Sequence, residues 1–556
     1  MRAPKRESRF CASEFPVIMF GSGIHETEIT LLLLIAMIAL LAAAAQRLRV
    51  PYPIVLLLGG LTLSFFPWIP KVSIDPSFIF LVVLPPLLFA STINIGWAEL
   101  RENAAHILML GLGLVAFTVI AVAAAMHFIV PGFNWRVGAV LGAVLSTTDT
   151  IAVGAVARRV GLPYRILQVI EGESLTNDAM GLLALQFTSA LVVSGTIPTI
   201  FAGIGQFIWL IVAGIFSGLA VAIPIAHFER RLRSVALQLL VSIVTPYFAY
   251  LLGEGLHGSG VLATVACGLY FGRMQSKTFS SQTRLESKAV WDTIDFSLNG
   301  LVFILIGLQL PSILQGMGDS NWTQKLLHAA MVCALLISLR FIWVFAGARA
   351  AQAIRNKLFH RDGEYIPNRV LTVVSWSGMR GVLTLAAALS LPSVIANGQP
   401  FPERQAIIFF SYGVILVTLL GQGLSLPALI RRLHVAEPEG VRDVALAARA
   451  AIVRAGLERL QQIRDYDQEI EANRTAYELM ERFYRDRLRA LEPDHKEEKE
   501  QSKRERQQNM QQIAYSLRQA EREELMRLRA AGRIRDNTLR EVERELDLLD
   551  VHWNSP

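Results

Sequence analysis

Long apolar segments alternate with short polar ones from residue 27 to residue 430. Segments of 18 or more residues with few charges are typical of helices that cross a membrane. Thirteen segments are predicted, at residues 27–46, 50–67, 76–93, 102–129, 137–157, 164–195, 200–227, 235–253, 258–272, 290–312, 325–348, 367–392 and 405–430. The pattern therefore predicts an all-α polytopic membrane protein with about 13 transmembrane helices, embedded in the lipid bilayer.

The loops between these segments differ in charge on the two sides of the membrane. One set of alternate loops contains 20 Lys and Arg residues, and the other set contains 4. Cytoplasmic loops carry the excess of Lys and Arg, so the first set is predicted to be cytoplasmic. The expected location is the cell inner (plasma) membrane, with the C-terminal tail in the cytoplasm and the N-terminus outside.

The composition changes after residue 433, where the apolar segments give way to charge. Arg and Glu recur three or four residues apart in the tail, as they do in solvated helices. The predicted domains are an N-terminal leader at 1–26, a transmembrane domain at 27–433 and a helical tail at 434–556 with a regulatory role. The basic leader conflicts with an external N-terminus, so Met19 remains an alternative start.

The formal charge of +7 does not indicate a nucleic-acid partner. From Glu437 onward the chain has 23 Lys and Arg against 26 Asp and Glu, so the excess positive charge lies between the apolar segments. A nucleic-acid surface needs basic residues clustered on one soluble face. The three cysteines share no metal-ligand spacing, and neither a disulfide nor a cofactor is expected.

Three predicted spans carry a charged residue near the middle of the membrane. Asp149, Asp178 and Arg380 lie about 12 to 15 residues from one end of their segments, which is about 18 to 22 Å along a helix. Since the hydrocarbon core is about 30 Å thick, the three charges lie at similar depth. A charged residue there costs about 2.5–3.5 kcal/mol, so a functional cluster is favoured over a structural salt-bridge network.

Helical spacing separates the polar residues of the sixth segment into two pairs. Ser174 and Asp178 are four residues apart and share one face, while Glu173 and Asn177 share an adjacent face. A carboxylate with a hydroxyl one turn away offers hard oxygen ligands to a small cation. The second pair is predicted to hold Arg380, so that Glu173, Asn177 and Arg380 form a structural ion-pair group.

Four motifs in this order resemble one transporter family over nearly all of residues 27–430. They are EGESLTND at 171–178, the pair Thr148-Asp149, SWSGMRGVLTLAAALSLP at 375–392 and NGLVFILIGLQL at 299–310. They resemble the cation/proton antiporters of the sodium/hydrogen exchanger type, particularly the bacterial NhaP-like branch. The resemblance implies inverted repeats, two crossing discontinuous helices at the fifth and twelfth spans, and a homodimer.

The resemblance also implies roles for individual residues. Asp178 would bind the cation or the proton, and Ser174 would supply a side-chain oxygen. Thr148 would supply a backbone carbonyl freed by the break in its helix. Asp149 would assist, through a water molecule.

The resemblance assigns the supporting ion pair to Glu173 and Arg380. One departure from the family pattern concerns the break itself. Many members flank the Thr-Asp pair with proline, whereas this chain has Thr147 and Thr150. The unwinding must then depend on threonine side chains that compete for backbone hydrogen bonds.

The predicted function is the exchange of sodium, or another monovalent cation, for protons. The transported ions are Na⁺ and H⁺, with K⁺ or Li⁺ as alternatives, and the chain is not expected to be an enzyme. Electroneutral exchange is expected because Asn177 stands where electrogenic relatives carry a second acid. A potassium/proton antiporter of the same fold and an ion channel remain alternatives. A hydrolase using Ser174 is disfavoured because no histidine lies in mid-span.

Overall fold

The fold is known from a computed structural model. The structure describes residues 24–491 except 49, 67–75, 94–96, 131, 161, 196–199, 233, 280, 318–320, 360–365, 436–438 and 467–469, and also residues 520, 521 and 523–527. Of the predicted leader at 1–26, residues 1–23 lie outside the described residues.

The described part of the chain is built from helices. The first ten are α1 Ile24–Leu48, α2 Tyr52–Leu63, α3 Pro76–Phe78, α4 Leu84–Ile93, α5 Trp97–Ile129, α6 Trp135–Ser146, α7 Thr150–Val160, α8 Tyr164–Ser194, α9 Ile200–Glu229 and α10 Val235–Gly255. The others are α11 Gly260–Thr278, α12 Ser281–Leu308, α13 Leu310–Gly316, α14 Trp322–Phe359, α15 Asn368–Trp376, α16 Val382–Leu389, α17 Arg404–Leu416, α18 Gly423–Leu433, α19 Glu439–Tyr466 and α20 Ile470–Leu491. Short π-helical stretches, Ile79–Val83 and Val417–Gln422, make α3–α4 and α17–α18 continuous.

All thirteen predicted apolar segments coincide with helices. By length and composition, eight helical segments of the described chain are able to cross a membrane, and three shorter apolar helices accompany them. The all-helical membrane fold is confirmed, while the count of thirteen spans stays a prediction. The sixth and twelfth segments are absent from both groups. They are α8 and the α15–α16 pair, which carry the polar motifs.

The outer surface of α9 shows why the fold needs a bilayer. Phe201, Trp209 and Phe216 are among its large apolar side chains, and each is more than half exposed. A row of exposed aromatic and aliphatic side chains would be unfavourable in water, whereas lipid tails solvate it.

In contrast to α9, helix α6 lies in the interior. Every residue of α6 from Val137 to Ser146 is buried. The side chain of Asn134 begins the helix by accepting hydrogen bonds from the backbone N–H groups of Arg136 and Val137, each at 3.0 Å. Because α6 is apolar on all sides, it packs between other helices, and its C-terminal end is delivered to the centre of the protein.

Two of the central helices are interrupted, as the resemblance implied. The break after α6 spans residues 147–149, and the break between α15 and α16 spans residues 377–381. At the first break, Thr147 turns to extended backbone, with φ −64° and ψ 142°. This turn occurs without proline, so the local cause must lie in the contacts of the threonine and aspartate side chains.

The chain divides into two compact units, Met1–Glu437 and Pro438–Pro556. The sequence placed this boundary between residues 433 and 434. In the second unit, Arg464 of α19 lies 3.5 Å from Glu481 of α20, which indicates that the two helices are neighbours. Beyond α20, the described residues of the predicted helical tail are 520, 521 and 523–527, and they are helical.

Candidate functional site

The two helix breaks cross and exchange hydrogen bonds with each other. The backbone N–H of Asp149, in the first break, donates to the carbonyl oxygen of Met379, in the second, over 2.8 Å. Next to this contact, the hydroxyls of Thr147 and Thr384 are hydrogen-bonded at 2.8 Å. Backbone groups that lost their helical partners therefore find new ones across the crossing point.

Arg380 completes this exchange. An uninterrupted helix would pair the carbonyl of Leu145 with the N–H of Asp149, which here bonds elsewhere. Instead, Arg380 Nε donates to the Leu145 carbonyl at 3.0 Å, and its Nη1 donates to the carbonyl of Gly378. The side chain of Arg380 is 5% exposed, so its charge is buried among carbonyl dipoles of both breaks.

The predicted cation ligands lie together beside the first break. The Asp178 carboxylate accepts a hydrogen bond from the backbone N–H of Thr148 at 3.0 Å. The Thr148 hydroxyl donates to the Ser174 hydroxyl at 3.0 Å, and that hydroxyl donates to the Thr148 carbonyl at 2.8 Å. These contacts hold the unwound turn against α8 and explain how the helix opens without proline.

Asp149 has a structural contact as well as a free oxygen. Its Oδ1 accepts from the backbone N–H groups of Ile151 and Ala152, at 2.9 and 3.4 Å, which caps the N-terminus of α7. Its Oδ2 is buried and has no hydrogen-bond partner in the part of the chain that the structure describes. Added to Gly381, a Cβ atom would collide with this carboxylate, so the absence of a side chain at residue 381 makes room for Asp149.

The predicted ion pair between Glu173 and Arg380 is wrong. Glu173 instead pairs with Arg340 of α14, whose Nη1 lies 2.8 Å from Glu173 Oε1, with both side chains at most 3% exposed. Asn177 belongs to this group as predicted, because its Nδ2 lies 3.3 Å from Glu173 Oε1. The physical reason is that broken helices leave carbonyl groups without donors, and Arg380 satisfies these.

Arg340 is the residue that the sequence reasoning missed. It is a single charged residue near the middle of the eleventh apolar segment, 325–348, and the same depth argument that selected Arg380 would have found it. Its Nε and Nη2 also donate to the carbonyl of Val374 in α15, at 3.4 and 3.2 Å. Arg340 thus ties α14 to both α8 and α15.

A cavity opens directly onto the two aspartates. Its lining includes Thr148, Asp149 and Asp178, and its volume of about 80 Å³ admits several water molecules. Both carboxylates are 8% exposed, and neither forms an ion pair within the part of the chain that the structure describes. Asp178 therefore presents a charge that a small cation or a proton can neutralise.

This arrangement of oxygens suits an alkali cation better than a covalent reaction. Carboxylate, hydroxyl and carbonyl oxygens are hard ligands, and the cavity supplies space for water to complete the coordination. A hydrolytic mechanism would need a base beside Ser174. The Ser174 hydroxyl is instead bonded to Thr148, a neutral partner.

Comparisons with known proteins agree with this fold. The family model described as "Sodium/hydrogen exchanger, transmembrane" matches residues 33–432. An uncharacterized Na⁺/H⁺ exchanger of Mycobacterium tuberculosis is 31% identical over 94% of this chain and 96% of its own length. A sodium, potassium, lithium and rubidium/H⁺ antiporter of Bacillus subtilis is 30% identical, over 91% of this chain and 75% of its own.

The fold has a counterpart among solved structures. The sodium proton antiporter MjNhaP1 from Methanocaldococcus jannaschii matches with a TM-score of 0.59 and 18% identity, over 73% of this chain and 99% of the other. The match confirms the antiporter fold that the motifs implied. Since the family model covers residues 33–432, including both helix breaks and the polar motifs of α8, this chain belongs to the sodium/hydrogen exchanger family.

Proposed function

We propose that this protein exchanges a monovalent cation, sodium in the first place, for a proton, and that the two compete for Asp178. The observation that carries the proposal is the Asp178 carboxylate, which is buried without an ion-pair partner among the described residues and lines a cavity of about 80 Å³, with Ser174 and Thr148 nearby. A cation or a proton each neutralises the carboxylate. The site can then change its exposure from one side of the membrane to the other without moving a bare charge.

The choice of cation is open to a second candidate. The Bacillus subtilis relative is named for sodium, potassium, lithium and rubidium, which favours testing a potassium/proton exchange in parallel. Hard oxygen ligands alone do not separate sodium from potassium. Proteoliposomes with an internal pH indicator should show proton movement when sodium, potassium or lithium is added in turn, and sodium should be effective at the lowest concentration.

If the cation and the proton compete for Asp178, the apparent KM for sodium must change with pH in one direction. As the pH falls, protons occupy Asp178, so the apparent KM for sodium should rise, by up to about tenfold per pH unit. The maximal rate at saturating sodium should change much less. A KM that is independent of pH would contradict competition at a single carboxylate. Loss of proton movement in Asp178→Asn, with normal membrane insertion, is the matching test of the residue.

We infer that the exchange is electroneutral. Asn177 is neutral, and its amide is engaged with Thr148 Oγ1 and Glu173 Oε1, each at 3.3 Å. Asp149 is engaged at Oδ1 by two backbone N–H groups, and we infer that it keeps one protonation state throughout the cycle. Only Asp178 is then left to change its occupant.

A membrane potential tests this stoichiometry. Moving one net charge across 100 mV is worth about 2.3 kcal/mol, so a net charge per cycle would shift the final sodium gradient visibly. With the potential clamped by potassium and valinomycin, sodium-driven proton movement should not depend on voltage. A gradient that follows the clamped potential would show that more than one proton moves per cation.

The cellular setting belongs to the same proposal. We propose a homodimer in the plasma membrane, with the second unit in the cytoplasm, where it adjusts activity to pH. The loop charges support the orientation, and the resemblance supports the dimer. Protease access to the tail in inverted and right-side-out vesicles would test the orientation, and the mass of the purified protein–detergent complex would test the dimer.

A further inference from the structure

The part of the cavity lining that comes from helices other than α8 and the two interrupted ones is unevenly polar. Much of it comes from apolar side chains of the α3–α4 helix, together with Ser91, whose hydroxyl donates to the carbonyl of Leu88 in its own helix. Two polar side chains reach the same wall from α12. They are Asp295 and Asn299, four residues apart and therefore on one helical face.

Asn299 carries an oxygen that has no hydrogen-bond partner among the described residues. Its side chain is 0% exposed, and its Nδ2 donates to Asp295 Oδ1 at 3.0 Å. Asp295 holds the amide nitrogen, whereas the carbonyl Oδ1 is buried and forms no hydrogen bond within the described structure. An unpaired buried acceptor is unfavourable, and a cation or its water shell in the cavity would satisfy it.

Asp295 adds charge to this wall. Its carboxylate is near enough to Asp149 for the two to interact electrostatically, so three carboxylates surround one small cavity. Clefts lined with charge of one sign concentrate counter-ions and speed their arrival. The N-terminal end of α12 follows a loop predicted to be cytoplasmic, which places Asp295 on the cytoplasmic side of Asn299.

We propose that Asp295 and Asn299 form an entry position for the transported cation. There, the Asp295 carboxylate and Asn299 Oδ1 bind a partly hydrated monovalent cation before it reaches Asp178. This proposal rests on the proposed exchange and deepens it by adding a second place for the same ion. It assigns to α12 a direct part in binding.

The test separates capture of the cation from its exchange. Asp295→Asn and Asn299→Ala should each raise the apparent KM for sodium about fivefold in inverted vesicles, where the cytoplasmic face is outside. The maximal rate at saturating sodium should stay within about twofold, because Asp178 and its ligands are intact. In right-side-out vesicles the KM should change less.

Asp292→Asn is the matched control. It removes the same charge from the same helix, but Asp292 is exposed and does not line the cavity. The apparent KM of the Asp292→Asn variant for sodium should equal that of the wild type. A merely structural role for Asp295 or Asn299 would lower the amount of inserted protein without shifting the KM of what remains.

The outcomes distinguish this inference from the function on which it rests. If the wild type moves no protons in response to any monovalent cation, the proposed function fails. If the wild type exchanges and Asp178→Asn does not, but both α12 variants keep the wild-type KM, only the entry position is overturned. If Asp295→Asn does not insert, Asn299→Ala decides by the same criterion.

Discussion

Glu173 and Arg340 form a buried ion pair, with Arg340 Nη1 2.8 Å from Glu173 Oε1. The pair joins α8, which carries Asp178, to α14. Because Arg340 also bonds to the carbonyl of Val374, the same guanidinium fixes the helix that leads to the second break. We therefore expect the pair to support the proposed site from outside the candidate cation-binding oxygens.

Removing Arg340 should destabilise the protein more than it alters ion affinity. Arg340→Ala leaves Glu173 as a buried, uncompensated charge, which costs about 3–5 kcal/mol. The melting temperature in detergent should fall clearly, and Glu173→Gln in the same chain should recover part of the loss. A stable Arg340→Ala protein with a changed sodium KM would contradict this supporting role.

Arg380 should behave differently from Arg340. Arg380→Gln takes hydrogen bonds away from carbonyl groups at both breaks, and each unsatisfied buried group costs about 1–3 kcal/mol. Stability and transport should both fall. Glu173→Gln should not rescue this variant, because Arg380 makes no ion pair with Glu173 in the described structure. If Glu173→Gln did rescue the Arg380→Gln variant, the result would support the ion pair between Glu173 and Arg380 that was predicted from the sequence.

Ser174 should contribute to binding without being essential. Ser174→Ala removes the hydroxyl that bonds to the Thr148 carbonyl, while Asp178 stays in place. A lost hydrogen bond of this kind is worth about 1 kcal/mol, so the sodium KM should rise about fivefold. Transport assays over a range of sodium concentrations would measure this KM. Complete loss of exchange in a well-inserted protein would mean that Ser174 does more than supply one oxygen.

Gly381 offers a steric test of the crossing point. A methyl group in Gly381→Ala would meet the Asp149 carboxylate and push it from its place. The transport rate should drop tenfold or more. Each factor of ten in rate corresponds to about 1.4 kcal/mol of activation free energy. Gly421→Ala is the control, since a Cβ there meets nothing within 4 Å. Equal activity of both variants would show that the crossing point tolerates movement of Asp149.

The tail should adjust transport without being required for it. Cutting the chain after residue 440 removes nearly all of the second unit, Pro438–Pro556, and leaves the described site residues in the first. Exchange should persist, with a changed pH profile measured in proteoliposomes. Loss of all proton movement in a well-inserted, truncated protein would contradict this view.

The sequence by itself determined the membrane-spanning helices and the face on which Ser174 and Asp178 lie. Both follow from local rules, since apolar length predicts a span and a four-residue spacing places two side chains on one side of a helix. The same rules predicted that Asp149 and Asp178 lie at similar depth, and the two residues line one cavity. The helix breaks were predicted from the motifs that resemble the family.

Tertiary structure alone decided which charged groups meet. Glu173 could have faced any arginine at its depth, and its pairing with Arg340 depends on how α14 packs beside α8. Arg380 lies where broken helices leave carbonyl groups without donors. Spacing along one helix fixes the depth and face of a residue, but the neighbouring helix that this face meets is set by packing of the whole domain.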